Sequence, residues 1–501
     1  MALPLIGVVL AAMGTETADI AARDVGRYAL TSAWLALLVG AITATIGTIA
    51  AWLVVMHRFP GRGFFAWALA LPLAVPAFAL AYSYADLFDV AGDLRTGLRA
   101  ATGHDLPFEM RSIGGAAFLL SAAFYPYVYL AMRAAFLNQS TNVLEAARLL
   151  GCSGRAALWR VALPMARPAL AAGVALAVME TLADYGAVQF LSVQTLTTGV
   201  VRAWSVYGST VSAARFALPL LAAAALLLWI ERAGRKGRSH ESGKARWRVL
   251  DIQPLARARG WAAFTFCLSL LTAGLLLPVG WLAWNLGLTT PDWSRLWGAV
   301  GNSLFLGAAG ALVTVTLATI LALGTARLPI AARIASLGYA TPGAVMAIGL
   351  LAPAGVIWNL APGSGAALAI LLLILAYAAR LMAAALEPID AGLARVTPSM
   401  RQAARMLGRS ETGTAWAVDL PLARGAMLTA ALIIFIDILK ELPATLILRP
   451  FDFDTLAVMA NNYALDERLG QAGLPSILIV ALSLPAVIWL TARIARARPG
   501  A

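Results

Sequence analysis

Four carboxylates stand inside stretches that are otherwise almost wholly apolar: Glu180 and Asp184 in "VALAVMETLADYGAVQF", and Asp437 and Glu441 in "IIFIDILKELPATLIL". Within each pair the acids stand one helical turn apart, so a helix would place them on one face. A shift of 257 positions carries the first pair onto the second. Charged groups are costly in hydrocarbon, so the four should face an interior cavity or a partner charge rather than lipid. Their oxygens suit a hard, highly charged cation, which makes an acidic vestibule one reading. Lys440, beside Glu441 and three residues from Asp437, supports another: an internal ion pair that fixes the two halves together. Measured from Pro164 at 1.5 Å per residue, Glu180 lies about 24 Å along its helix, in the outer half of a membrane.

Other chemistry is sparse. His57, His104 and His240 are remote from one another, with no His-x-x-x-His pair to ligate a metal. Cys152 and Cys267 are too few for a disulfide framework or a thiolate site. "GRSHESGKA" superficially resembles a phosphate loop. However, the interval from Gly237 to Gly243 is one residue too long, Ala245 stands where Ser or Thr should hold magnesium, and no strand precedes it. No catalytic residue, metal site or cofactor is therefore assigned to this chain.

The elements that position the acids are long apolar runs. The chain of 501 residues is 61% hydrophobic and 13% charged, with a mean hydropathy of +0.79. This is a polytopic membrane protein, and runs of this length make it all-α, because only helices or closed barrels satisfy the backbone in lipid. Runs near 29–56, 64–88, 114–135, 164–190, 209–230, 261–287, 299–325, 333–360, 365–385, 421–448 and 472–495 are long enough to span. With the short run at the start they make about twelve, half of them in each part of the chain. That first run, "MALPLIGVVLAAMG", lacks the basic flank of a signal peptide and falls short of a full span. Its helix is tilted and partly interfacial, or the true start lies upstream.

The formal charge of +13 sits in short segments between runs, the pattern of cytoplasmic loops rather than of a nucleic-acid face. "ERAGRKGRSHESGKARWR" and "ARIARARPG" are both basic, which places both ends of the second half, and with them both termini, in the cytoplasm. The expected organisation is a first repeat over 1–230, a basic linker over 231–260 and a second repeat over 261–501.

The repeat is most legible in two polar segments. "EAARLLGCSGRAALWRVALP" from Glu145 and "QAARMLGRSETGTAWAVDLP" from Gln402 share Gly, Trp, Pro and Arg at one register. Asn142 and Ser399, three residues earlier, suggest capping boxes that start a helix. Gly151 and Gly408 occupy the left-handed stop, Ser153 and Ser410 cap the next helix, and Pro164 and Pro421 sit in the first turn of a span. Two matched, exposed helical knobs read as docking elements.

The spacing Glu-Ala-Ala, three residues, Gly, nine residues, Val-x-Leu-Pro resembles the EAA loop of binding-protein-dependent ABC importer permeases, with Gln402 replacing Glu in the second copy. The resemblance implies a type I ABC importer permease fold in the inner membrane. It also implies two cytoplasmic ATPase subunits that hydrolyse ATP and a periplasmic solute-binding protein. By analogy, Glu145, Ala146, Ala147 and Gly151, with Gln402, Ala403, Ala404 and Gly408, would be the ATPase contacts. "ETLADYGAVQFLSVQTLTTGVVRAW" and "LKELPATLILRP" are similar to ferric-iron permeases of the fused double type. Thiamine permeases are the nearest competitor; polyamine, phosphonate and anion importers stand further off. A secondary transporter driven by an ion gradient would have no use for the matched loops.

Overall fold

The computed structural model describes residues 2–14, 22–90, 92–105, 108–138, 156, 158–235, 253–286, 290–324, 338, 341–360 and 365–496. Among them the fold is helical throughout, apart from a two-residue parallel pairing of His57–Arg58 with Gln253–Pro254. Among the described residues, nine helices are long and apolar enough to cross a membrane, for example Ile113–Leu137, Leu158–Ala183 and Glu411–Leu439. A tenth run is broken: Arg62–Ala74 and Ala77–Phe88 meet at 91°. The break follows from Pro76, which disfavours helical backbone at Val75 and leaves that residue extended. Two of the twelve expected runs form shorter helices, Leu3–Ala12 and Gly343–Gly355. Exposed tryptophans mark the ends of spans, among them Trp229, Trp261, Trp284, Trp293 and Trp297, as interfacial anchors do.

The chain forms two compact units, each drawing on both sequence repeats. Unit 1 contains residues 1–26, 196–225 and 290–463. Its core is the trio Trp293–Gly324, Gly365–Leu393 and Leu420–Leu439. The short first helix, Ala2–Ala12, packs on Gly343–Leu360 through a glycine crossing, where a Cβ on Gly7 would stand 2.0 Å from the Gly349 carbonyl oxygen. Backbone-on-backbone approach of this kind is how small residues join helices in lipid. Its other side, with Leu3, Ile6, Leu10 and Met13, is exposed. Unit 2 contains residues 27–195, 226–289 and 464–501, and there Ile113–Asn138 packs along Leu163–Ala183.

The sequence repeat is written into backbone detail. π-Helical turns at Leu158–Ala162 and Ala415–Asp419 each run straight into a span whose second residue is Pro164 or Pro421. The prolines therefore do not start a helix after a loop, as their sequence context suggests. They lie within continuous helical segments, and the wider π turn just before each removes the need for the missing N–H and makes room for the ring. Trp159 and Trp416 are exposed in these turns, where each span begins. Downstream come short helices Gly186–Phe190 and Pro443–Leu448, then the left-handed residues Ser192 and Asp452, at φ 59° and 58°. Two residues on, each repeat binds an arginine from its own unit: Gln194 accepts from Arg27 at 3.0 Å, and Asp454 accepts from Arg295 at 2.8 Å.

Candidate coupling and translocation sites

The first loop's Glu145, Ala146, Ala147 and Gly151, with Asn142 and Ser153, lie outside the described residues. The second loop is described completely. Its helix, Pro398–Met406, begins two residues earlier than the capping-box reading expects, with Thr397 as extended N-cap and Ser399 already inside, its hydroxyl 2.9 Å from that of Thr397. Pro398 decides this: its locked φ and absent N–H suit the first helical position, so the helix nucleates there. The predicted stop holds. Gly408 has φ +82°, its N–H donates to the Arg405 carbonyl, and the Arg409 N–H donates to that of Ala404, which together form a Schellman motif. Ser410 then caps the next helix, accepting from the Gly413 N–H at 3.1 Å.

The result is a rigid elbow with an apolar tip. Met406 is 88% exposed and Leu407 84%, flanked by exposed Gln402, Ala403 and Gly408, whereas Ala404 is buried and seats the helix. Two ion pairs brace it. Arg405 reaches Glu411 at 3.2 Å across the turn, and Arg401 Nε donates to Asp419 Oδ1 at 2.8 Å. The second is the more consequential, because the Asp419 side chain is only 8% exposed and stands where the span begins. It ties the knob mechanically to a membrane helix. Sequence reading misses this pair; the signal is a lone Asp two residues before Pro421. Shifted by 257 residues, Arg401 and Asp419 fall on Leu144 and Ala162, so the pair belongs to the second copy.

The four intramembrane acids are not strung along continuous helices. Each span stops just before the second acid of its pair, at Ala183 and Leu439, and that acid turns the chain. Asp184 Oδ1 accepts from the N–H groups of Ala187 and Val188, both at 3.1 Å. Glu441 does the same work one repeat later: Oε1 accepts from the Ala444 N–H at 3.1 Å, and Oε2 from the Thr445 N–H at 3.2 Å. Both are carboxylate caps on the positive end of a short helix, where negative charge is stabilised.

Beyond the cap the two sites differ. Glu441, with 1% of its side chain exposed, also accepts from the Thr445 hydroxyl at 3.0 Å and from Arg380 Nη1 at 3.4 Å. Tyr377 Oη lies 2.6 Å from the same threonine hydroxyl. Every lone-pair region of Glu441 is engaged and its charge is matched. Its cation is thus Arg380, not Lys440 as adjacency suggests; Lys440 instead pairs with Asp437 at 3.0 Å. An arginine alone in the run 365–385 was the available signal, since an ionised group in a span needs a partner. Asp184 is half-buried, Glu180 is its charged neighbour, and among the described residues no hydrogen bond reaches Asp184 Oδ2. Unit 1 thus brings Asp437 and Glu441 together with cations, and unit 2 holds Glu180 and Asp184 as two neighbouring acids.

Comparison with known proteins finds a family model that matches the first part of the chain. Residues 43–235, which include the first loop and the Asp184 cap, match the model of the binding-protein-dependent transport system inner membrane component. The chain is 25% identical over 456 residues to the Fe(3+)-transport system permease protein FbpB 2 of Haemophilus influenzae, covering 89% of this chain and 85% of that protein. It is 30% identical over 166 residues to the sulfate transport system permease protein CysT of Escherichia coli, and 31% over 163 residues to CysW of the same organism. Each of these alignments covers 32% of this chain, with 58% and 55% of the respective relatives.

Proposed function

We propose that this chain is an inner-membrane permease of the binding-protein-dependent ABC importers, and that its cargo is ferric iron handed over by a periplasmic binding protein. One observation carries the cargo: the likeness to a ferric-iron permease runs through both repeats, whereas the sulfate permeases named above each align with about a third of the chain. Site chemistry supports the same choice. A sulfate dianion passing unit 2 would meet Asp184 with Glu180 beside it, a like-charge encounter in a region of low dielectric, whereas a hard cation would meet oxygen ligands.

In this reading the repeats over 1–230 and 261–501, joined by the basic linker 231–260, let one chain serve as a permease pair. Both termini and the linker face the cytoplasm. Two ATPase subunits dock, one on Glu145 to Gly151 and one on Gln402 to Gly408. The apolar tip at Met406 and Leu407 enters an ATPase groove, and the Arg401–Asp419 pair passes the closure to Leu420–Leu439. The test is reconstitution of the permease with its ATPase and binding protein in vesicles, comparing ATP-dependent uptake of labelled ferric iron with that of labelled sulfate. Iron uptake without sulfate uptake is the expected result, and the reverse overturns the cargo.

A further inference from the structure

Unit 2 contains a second feature at the Asp184 cap. Tyr82, in the helix Ala77–Phe88, is 1% exposed, and its hydroxyl has no hydrogen-bond partner among the described residues. A buried phenol left without a partner is unfavourable by about 1–3 kcal/mol, so its retention needs a reason. The ring stands edge-on to Phe190 at 4.8 Å, against the same short helix that Asp184 caps, and Asp184 and Tyr185 are the hydroxyl's electrostatic neighbours. Among the described residues, Asp184 Oδ2 and the Tyr82 hydroxyl, set against the same short helix, are therefore two hard oxygen ligands without a hydrogen-bond partner.

Among the described residues, unit 1 has no equivalent at the matched positions. The helix after Pro76 begins at Ala77 and the helix after Pro342 begins at Gly343; counted from these starts, Tyr82 corresponds to Ile348. Glu441 there is saturated by backbone donors, Thr445 and Arg380.

We propose that Tyr82 and Asp184 are a transit site for the cargo cation, and that Glu441 plays no part in the path. The proposal rests on the cation reading of the cargo and deepens it. Among the described residues no cluster of three or more His, Cys, Asp or Glu is set to hold a metal, so the site gives passing contact rather than storage. A phenol and a carboxylate suit a hard, high-valent cation, which releases water one ligand at a time as each oxygen takes its place.

The experiment uses the complete permease, ATPase and binding-protein complex in vesicles, with labelled ferric iron as probe. Tyr82→Phe removes only the hydroxyl, and Asp184→Asn keeps the Oδ1 cap while removing the charge. Initial uptake should fall about fivefold in the first variant and about tenfold in the second, with the yield of assembled complex at the parental value. Both variants importing iron at the parental rate would overturn the transit site while leaving the ferric reading intact. If the parental complex imports a different cation and Tyr82→Phe slows it, the transit site stands and the ferric reading falls. Parental sulfate uptake overturns both. Should Asp184→Asn fail to assemble, Tyr82→Phe alone decides.

Discussion

Asp184 and Glu441 occupy matched positions, cap matched helices and use the same backbone donors, yet their surroundings have diverged. Around Glu441 the structure supplies Arg380, Thr445 and Tyr377; around Asp184, among the described residues, it leaves one carboxylate oxygen open and a tyrosine hydroxyl unpartnered. The shared part is what the backbone requires, because a span that breaks in low dielectric exposes N–H groups that need an acceptor. The divergent part is what the backbone does not require. A duplicated element thus keeps its structural task in both copies and is free to acquire a second task in one of them.

The largest effect expected from breaking this comparison lies at Arg380. Arg380→Met removes the cation from a buried carboxylate, a change of about 3–5 kcal/mol, so the variant should lose assembled complex, seen as loss of the monodisperse peak in detergent chromatography. A variant as stable as the parent would show that backbone donors alone hold Glu441.

Gly343 sharpens the comparison. A Cβ there would stand 2.2 Å from Glu441 Oε1, whereas the matched position in unit 2 is Ala77, facing a repeat whose acid is the shorter Asp. Gly343→Ala should lower stability by about 1–3 kcal/mol, and adding Glu441→Asp should recover most of the loss. Additive effects in the double-mutant cycle, read by thermal unfolding, would remove the size-matching account.

Smaller changes belong to the coupling elbow. Replacing Gly408, at φ +82°, by Val should reduce stability by about 1–2 kcal/mol and cut ATPase-coupled uptake more than it lowers yield. Arg401→Ala, which leaves Asp419 without its guanidinium, should weaken uptake while ATPase co-purification persists, at about 1 kcal/mol of stability. Leu144→Ala in the other copy should leave both readouts near parental values, and an equal loss there would argue against the asymmetry. Ser410→Ala, loss of a single helix cap, should come to about 1 kcal/mol or less, visible only as a small shift in unfolding temperature.

Much of this molecule follows from the sequence alone. Hydropathy over windows of span length settles a polytopic all-α chain, because lipid leaves the backbone no alternative to internal hydrogen bonding. A shared register of Gly, Trp, Pro and Arg reveals the duplication. Gly408 and Ser410 declare their turn and cap because those tasks depend on the residue itself and on neighbours a few positions away. What failed locally failed for a local reason: Ser399 looked like a cap until Pro398, a stronger helix start, took precedence.

Partnerships between distant residues required the tertiary structure. Arg380 finds Glu441 across 61 positions, and the same folding sets Tyr82 against the short helix that Asp184 caps, its hydroxyl without a partner among the described residues. Whether an intramembrane acid is a silent cap or an open ligand depends on which side chains neighbouring helices bring to its second oxygen. Periodicity and spacing report which face a residue occupies, but only packing determines what stands opposite it.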